Sequence, residues 1–326
     1  MSIEERLVKI QAAYVGNLSA QRLQEIREWI EKIEVIKNQK NAVLLGHNYM
    51  TPEVFFGVSD ITGDSLELAR KSAQAKADII VFNGVHFMAE TAKILNPSAK
   101  VLIADSTAGC SLAESITPED VRDLRQKHPG VPIVSYINCT AAVKAEVDVI
   151  CTSANAFHIV EALPGNEVVM VPDGYLAGNV AKTSKKVIHA WPGKCMVHEL
   201  FTPRDVEEAR LRFPQVKIIA HPECKSNVTD KVDFTGSTSR MSSYIEETHP
   251  EQVLLFTECS MGDNLRAEHP GVEFVPSCQS CPYMKKITLE KIYDALLYEK
   301  DEVTVPDNVR EGALHSLQAM FDLSKV

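Results

Sequence analysis

The sequence predicts an α/β fold of three small, similar domains. Each carries a parallel sheet, and the three stand pseudo-threefold around a central cavity, preceded by a helical extension. Three observations predict this. From Asn41 onward, short apolar runs alternate with amphipathic segments, the pattern of parallel strands and their crossover helices. The first run in each of three groups ends on polar residues at nearly constant spacing: His47 to Tyr136 is 89 residues and Tyr136 to His221 is 85. Cysteines in later loops keep the same interval, 85 residues from Cys110 to Cys195 and 86 from Cys195 to Cys281. One pair of matched spacings arises by coincidence; two independent landmarks with one period mark a repeat.

The elements follow in order. Residues 1–40 read as a helical extension, with leucine, isoleucine and tryptophan at helical spacing through RLQEIREWIEKIEVIK. Domain 1, residues 41–125, holds the strand runs NAVLLGHNY, ADIIVFNG and KVLIADS, with SLELARKSAQAK as a helix. Domain 2, residues 126–208, holds VPIVSYIN, VDVICTSAN, EVVMVPDG and KVIHAW, and the helical PRDVEEARLRF begins near its end. Domain 3, residues 209–300, holds VKIIAHPE, QVLLFTE and VEFVPS, with SRMSSYIEETH as a helix. Residues 301–326 form a C-terminal helical segment.

Composition narrows the function. The chain has 326 residues, 44 acidic against 34 basic, and a net charge of −10. Such a balance disfavours nucleic acid and anionic membrane as general partners. No apolar run approaches a bilayer span, and MSIEERLVKIQAAY has no apolar signal core, so a cytosolic protein is expected. In that setting the eight cysteines stay reduced, and those at repeat spacing call for a role beyond packing.

The three strand ends offer polar pairs at i and i+2: His47 with Tyr49, Tyr136 with Asn138, His221 with Glu223. On extended strands such pairs share a face, at the carboxyl ends where parallel sheets bind ligands. Together they supply proton donors, acceptors and a general base. Glu223 is expected as the principal acid or base, paired with Tyr49 across a domain boundary. Cys110, Cys195 and Cys281 lie in loops and would form a three-sulfur site. Zinc and an iron–sulfur cluster with one open iron both suit three thiolates, and spacing alone does not choose between them. The pair Cys278 and Cys281 forms a CxxC, with Cys281 as the expected ligand and Cys278 as a spare or redox-modulating thiol. Hydroxyl-rich turns at Ser65 and Thr238, which adjoin helical runs, and at Ser153, which follows a strand, suit anions or simple capping. Neither a GxxxxGK[ST] loop nor a GxGxxG motif occurs. A zinc hydrolase built on the three cysteines and a thiol redox sensor built on the CxxC are the alternative readings.

From Asn41 to the C-terminus the chain resembles the quinolinate synthase family of bacterial NAD biosynthesis. The resemblance rests on GHNYM, GDSLELA, YINCTA, CTSANA, PGKCMVHE, HPEC, GSTSRM and CPYMKK, all in order. It implies a triangle of three α/β domains and a [4Fe–4S] cluster held by Cys110, Cys195 and Cys281, one iron left open as a Lewis acid. It implies condensation of iminoaspartate (iminosuccinate) with dihydroxyacetone phosphate, with loss of phosphate and water. By the same likeness His47, Ser65, Tyr136, Asn138, Ser153, His221, Glu223 and Thr238 contact substrate or product. Tyr49 serves an isomerisation, His198 lies beside the cluster cysteine, and a functional coupling to L-aspartate oxidase follows.

Overall fold

A computed structural model of the chain describes residues 1–16, 18–277 and 279–325. Cys278, and with it the CxxC reading, lies outside the described residues. Among these residues, twelve strands form three four-stranded sheets. The first holds β1 (Ala42–His47), β2 (Ile61–Gly63), β3 (Ile79–Asn83) and β4 (Lys100–Ile103), in the order β2-β1-β3-β4. The second holds β5 (Ile133–Tyr136), β6 (Val149–Cys151), β7 (Glu167–Val171) and β8 (Val187–Ala190), in the order β6-β5-β7-β8. The third holds β9 (Lys217–Ala220), β10 (Phe234–Thr235), β11 (Gln252–Phe256) and β12 (Glu273–Phe274), in the order β10-β9-β11-β12. Every pairing is parallel, and all three sheets share one topology. The fold is the α/β repeat that the two spacings predict.

A third landmark carries the same period. An aspartate stands immediately before the second strand of each sheet, at Asp60, Asp148 and Asp233. Its carboxylate accepts the amide N–H of a residue on the first strand: Leu44 at 2.9 Å, Ile133 at 2.7 Å and Ile218 at 2.9 Å. The aspartate amide in turn donates to the carbonyl of that same residue. Each repeat thus fixes the register of its edge strand by one reciprocal contact.

Strands β2 and β10 escape the sequence reading. They are three and two residues long, ITG and FT, and carry no apolar run. They exist because the neighbouring first strand offers a ladder, Leu45 pairing with Ile61 and Ile219 with Phe234. The N-terminal extension also differs from a continuous helix. Ser2 caps a helix over Ile3–Ala13 and Ser19 caps a second over Ala20–Gln39. Between them Tyr14 is extended and Gly16 takes φ +86°, a left-handed turn that favours glycine.

The chain ends strap the domains together. The second N-terminal helix packs against the helix Leu289–Tyr298, with the Trp29 and Tyr293 rings 5.7 Å apart. That later helix lies on β3 and β4 of the first sheet, although it follows the third sheet in sequence. Arg266, in the third domain, donates to the Ala13 carbonyl at 2.6 Å. The C-terminal helix Asp307–Leu323 covers β6 and the helix Ala141–Glu146. The first two sheets share one continuous core, including Leu44, Ile80, Val134 and Val169. The third sheet packs its own cores on its two faces, around Ile218 and Phe256 and around Ile219 and Leu255.

Candidate active site

The carboxyl ends of the three sheets face one cavity, as parallel topology favours. The cavity encloses about 730 Å³ with its mouth. It gathers thirteen of the residues singled out in the sequence: His47, Tyr49, Ser65 and Cys110 from the first domain, Tyr136, Asn138, Ser153, Cys195 and His198 from the second, His221, Glu223, Thr238 and Cys281 from the remainder. Among the described residues no lysine or arginine lines it.

The i, i+2 pairs converge, for a reason other than extended-strand alternation. Each strand stops at or before the first member, and a turn carries the second. In two repeats the turn is closed by the imidazole itself. The Tyr49 amide donates to His47 Nδ1 at 3.2 Å, and the Glu223 amide to His221 Nδ1 at 3.4 Å. An acceptor Nδ1 assigns the ring proton to Nε2, so each neutral imidazole keeps one N–H donor. Burial pulls His47 down to about 4 and His221 down to about 3, against the opposing charge of Glu223. Both rings are therefore neutral near pH 7.

A hydrogen-bonded chain crosses the cavity wall through all three domains. Tyr136 Oη donates to Glu223 Oε1 at 2.5 Å. His198 Nδ1 lies 2.9 Å from Glu223 Oε2, and His198 Nε2 lies 3.0 Å from Thr257 Oγ1. Tyr49 Oη lies 2.6 Å from the same Thr257 oxygen. Burial alone would raise the Glu223 carboxyl. The neighbouring imidazoles of His198 and His221 and the hydrogen bonds from His198 and Tyr136 outweigh it and hold the group well below the usual range, as carboxylate. A carboxylate accepts only, so Nδ1 of His198 carries the proton and Nε2 accepts from Thr257. Thr257 is then left to accept from Tyr49. Burial and the Glu223 charge push the phenols of Tyr49 and Tyr136 well above 10, so both are donors. The arrangement has the logic of a hydroxyl–histidine–carboxylate triad, with threonine as the hydroxyl and a tyrosine beyond it.

The expected direct pairing of Glu223 with Tyr49 is corrected here. Tyr136 and His198 occupy both carboxylate oxygens, and Tyr49 reaches Glu223 only through Thr257 and His198.

Cys110, Cys195 and Cys281 are free thiols set in one repeated local frame. A 3₁₀ turn follows each, at Ala113–Ser115, His198–Leu200 and Met284–Lys286. The turn aims two backbone N–H groups at the sulfur: Leu112 and Ala113 at Cys110, Val197 and His198 at Cys195, Tyr283 and Met284 at Cys281. Burial nevertheless pushes all three thiols up, Cys110 to about 12. Paired amide donors favour a thiolate, yet burial forbids a bare one, and a bound cation reconciles the two. The described set of three ligand atoms drawn within 4.8 Å of one another is Cys195, His198 and Glu223, of which the last two already bond each other.

The hydroxyl turns divide. Asp64, not Ser65, caps the helix Ser65–Gln74, its carboxylate accepting from Leu66 and Glu67. Ser237, not Thr238, caps the helix Thr238–Thr248. Thr238 instead accepts from Asn48 Nδ2 at 2.9 Å, joining the first domain to the third. Ser153 lines the cavity beside Asn155, whose side-chain Oδ1 accepts from the Thr152 amide at 2.6 Å.

Sequence reasoning missed Thr257 and its neighbour Glu258. Glu258 is buried in the wall and accepts from the Cys281 amide at 3.2 Å and from Lys285 at 2.7 Å. The available signal was their place at the carboxyl end of QVLLFTE. The sheet order sets β11 beside β9, whose end carries His221 and Glu223.

No described helix is long and apolar enough to cross a membrane. A family model for the quinolinate synthetase A protein matches residues 31–322. The chain is 55% identical over 292 residues to a quinolinate synthase of Xylella fastidiosa (strain Temecula1), covering 90% of this chain and 86% of the relative. Against a quinolinate synthase of Agrobacterium fabrum it is 53% identical over 294 residues, covering 90% and 85%. Against one of Caulobacter vibrioides (strain NA1000) it is 50% identical over 298 residues, covering 90% and 81%. With the model spanning nearly its whole length and relatives of this identity, the chain belongs to the quinolinate synthetase A family.

Proposed function

We propose that the chain is a quinolinate synthase of NAD biosynthesis, joining iminoaspartate to dihydroxyacetone phosphate with loss of phosphate and water. The observation that carries the reading is the cavity itself, where three thiols in matched amide frames face a threonine–histidine–carboxylate chain that ends on a tyrosine.

Cys110, Cys195 and Cys281, gathered in one cavity, would hold a [4Fe–4S] cluster by three thiolates, which leaves one iron without a protein ligand. When bound, such a cluster supplies a Lewis acid at the iron that has no protein ligand. The protein does the rest. His47 and His221, neutral and donating through Nε2, offer hydrogen bonds to carboxylate or phosphate oxygens without bringing a charge that would compete with Glu223. Ser65, Ser153, Asn138 and Thr238 add neutral donors and hold two small anions in reacting distance.

Tyr49 takes a proton from substrate as its own passes to Thr257 and that of Thr257 passes to His198 Nε2; run in reverse, the chain returns the proton through Tyr49 to a departing oxygen. Glu223 steadies the imidazole in the tautomer that can return the proton, and Tyr136 steadies Glu223. Ring closure and loss of water both need such reversible transfers at one place.

Anaerobic purification followed by iron, sulfide and zinc analysis tests the reading, together with turnover of iminoaspartate generated in place and dihydroxyacetone phosphate. Stoichiometric iron and sulfide with quinolinate formed is the expected result. Zinc without sulfide, and no quinolinate, would replace it with the hydrolase reading.

A further inference from the structure

Behind the cavity wall stands a lysine that no surface role explains. Lys144 is completely buried in the helix Ala141–Glu146, and among the described residues no carboxylate forms an ion pair with it. Removing an amino group from water is costly unless its donors are used. Here they are. The nitrogen donates to the Ile137 carbonyl at 3.0 Å and to the Cys139 carbonyl, and lies 5.3 Å from the centre of the Phe87 ring.

The two carbonyls flank Asn138. The Cys139 amide also donates to the Ile137 carbonyl, at 2.8 Å, so residues 137–139 form a three-residue turn with Asn138 at its centre. Lys144 grips that turn from behind at both ends. Asn138 lines the cavity in front, and its Oδ1 is buried without a partner. Phe87 lines the same cavity from the first domain. The helix bearing Lys144 is itself held from outside, since Ser316 of the C-terminal helix donates to the Lys144 carbonyl at 2.7 Å.

We propose that Lys144 is a positioning residue of the active cavity, clamping the 137–139 turn so that the Asn138 amide is presented to an anionic, dicarboxylate-type ligand. An unsatisfied Oδ1 at the centre of a clamped turn leaves the Asn138 NH₂ group directed by the backbone, not by a neighbouring side chain. A preset donor holds an anion more tightly than one that must first be ordered. With no lysine or arginine among the described residues of the lining, each preset neutral donor counts for more, and Lys144 acts from one layer back. The inference rests on the reading of the cavity as a quinolinate site.

The test is a double-mutant cycle on binding, with quinolinate as the probe and the full, cluster-loaded protein as the subject. Lys144→Met, Asn138→Ala and the double variant are titrated beside the parent, and melting points and visible spectra are recorded. Lys144→Met is expected to weaken quinolinate at least tenfold with the spectrum unchanged. The double variant should bind no more weakly than the worse single one, because the lysine acts through the asparagine. Losses that add, or undiminished binding by Lys144→Met, would overturn the proposal. If Lys144→Met does not fold, Lys144→Gln, which keeps donors, takes its place. Failure of both to fold would also overturn it, leaving a lysine the fold needs and the site does not. A parent protein that does not bind quinolinate would instead sink the functional reading.

Discussion

Thr257 and His198 meet across 3.0 Å, one just past the carboxyl end of β11 in the third domain and the other in the turn after Cys195 in the second. The contact joins two segments that each serve another purpose. His198 gives its amide to the Cys195 sulfur and its Nδ1 to Glu223, while Thr257 receives Tyr49 from the first domain. Proton transfer and the three-thiol centre are therefore built on the same short turn, and the geometry of one cannot change without the other.

Replacing Thr257 by valine tests the relay, since valine keeps the shape and removes the hydroxyl. Tyr49 and His198 would then face a methyl group. Turnover should fall about 10²–10⁴-fold, the usual worth of a positioned proton transfer. Quinolinate affinity and the cluster spectrum should stay as they are. Single-turnover rates read the effect, and a rate within twofold of the parent would remove Thr257 from the chain.

Glu223→Gln tests the other end. The amide cannot accept from both Tyr136 and His198 as a carboxylate does, so the histidine loses the partner that fixes its tautomer. A loss of about 10³–10⁴-fold in turnover is expected, comparable with the removal of an orienting carboxylate elsewhere. Iron and sulfide content should be unchanged. Near-normal turnover would show that neither the charge nor the tautomer matters.

Much of this site was legible in the chain because its chemistry recurs. Polar residues at His47, Tyr136 and His221, and thiols at Cys110, Cys195 and Cys281, stand out against apolar strands and share one period. What was hidden depends on neighbours in space. Thr257 ends a strand like many threonines, and only the order β9 beside β11 puts it next to Glu223. Lys144 looks like the solvent face of an amphipathic segment, until the fold turns its amino group onto the Ile137 and Cys139 carbonyls. The aspartates before β2, β6 and β10 read as ordinary turn residues, although their register contacts repeat as faithfully as the cysteines.

The thiols give a third prediction, read without activity. Serine at Cys110, Cys195 or Cys281 should each abolish the visible absorbance of the anaerobic protein, because each sulfur has its own pair of amide donors and none has a substitute in the described cavity. Cys151→Ser, buried in β6 away from the cavity, should keep it. Full iron and sulfide in the Cys281→Ser protein would move the third ligand elsewhere.

Acid sensitivity follows from His47. Burial holds this imidazole at about 4 in the folded protein, against about 6.5 in an unfolded chain. The unfolded state therefore binds a proton first as pH falls. The contribution of His47 to stability is fully present above 6.5 and is lost as pH drops through the folded value. One proton costs about 1.4 kcal/mol per pH unit across that window. Melting temperatures between pH 7 and pH 4.5 should fall less steeply in His47→Gln than in the parent. Parallel slopes would mean that His47 titrates alike in both states.

The last prediction separates binding from capping at Thr238. Ser237 already receives the helix amide of Arg240, so removing the Thr238 hydroxyl leaves the cap in place. What it removes is the acceptor for Asn48 Nδ2, and with it one contact that joins the first and third domains beside the cavity. Thr238 also presents its own hydroxyl to the space where an anion would sit. Thr238→Val should therefore weaken quinolinate and phosphate-bearing substrate together, by about tenfold for one hydrogen bond to a charged group at about 1.5 kcal/mol. A lost helix cap would instead cost about 0.5–2 kcal/mol of stability and leave affinity alone. Titration of quinolinate and a thermal melt on the same sample distinguish the two. Weaker binding is the outcome that the Ser237 cap predicts, whatever the melting point loses with the Asn48 contact, and a lowered melting point with unchanged affinity would reduce Thr238 to a bridge between domains.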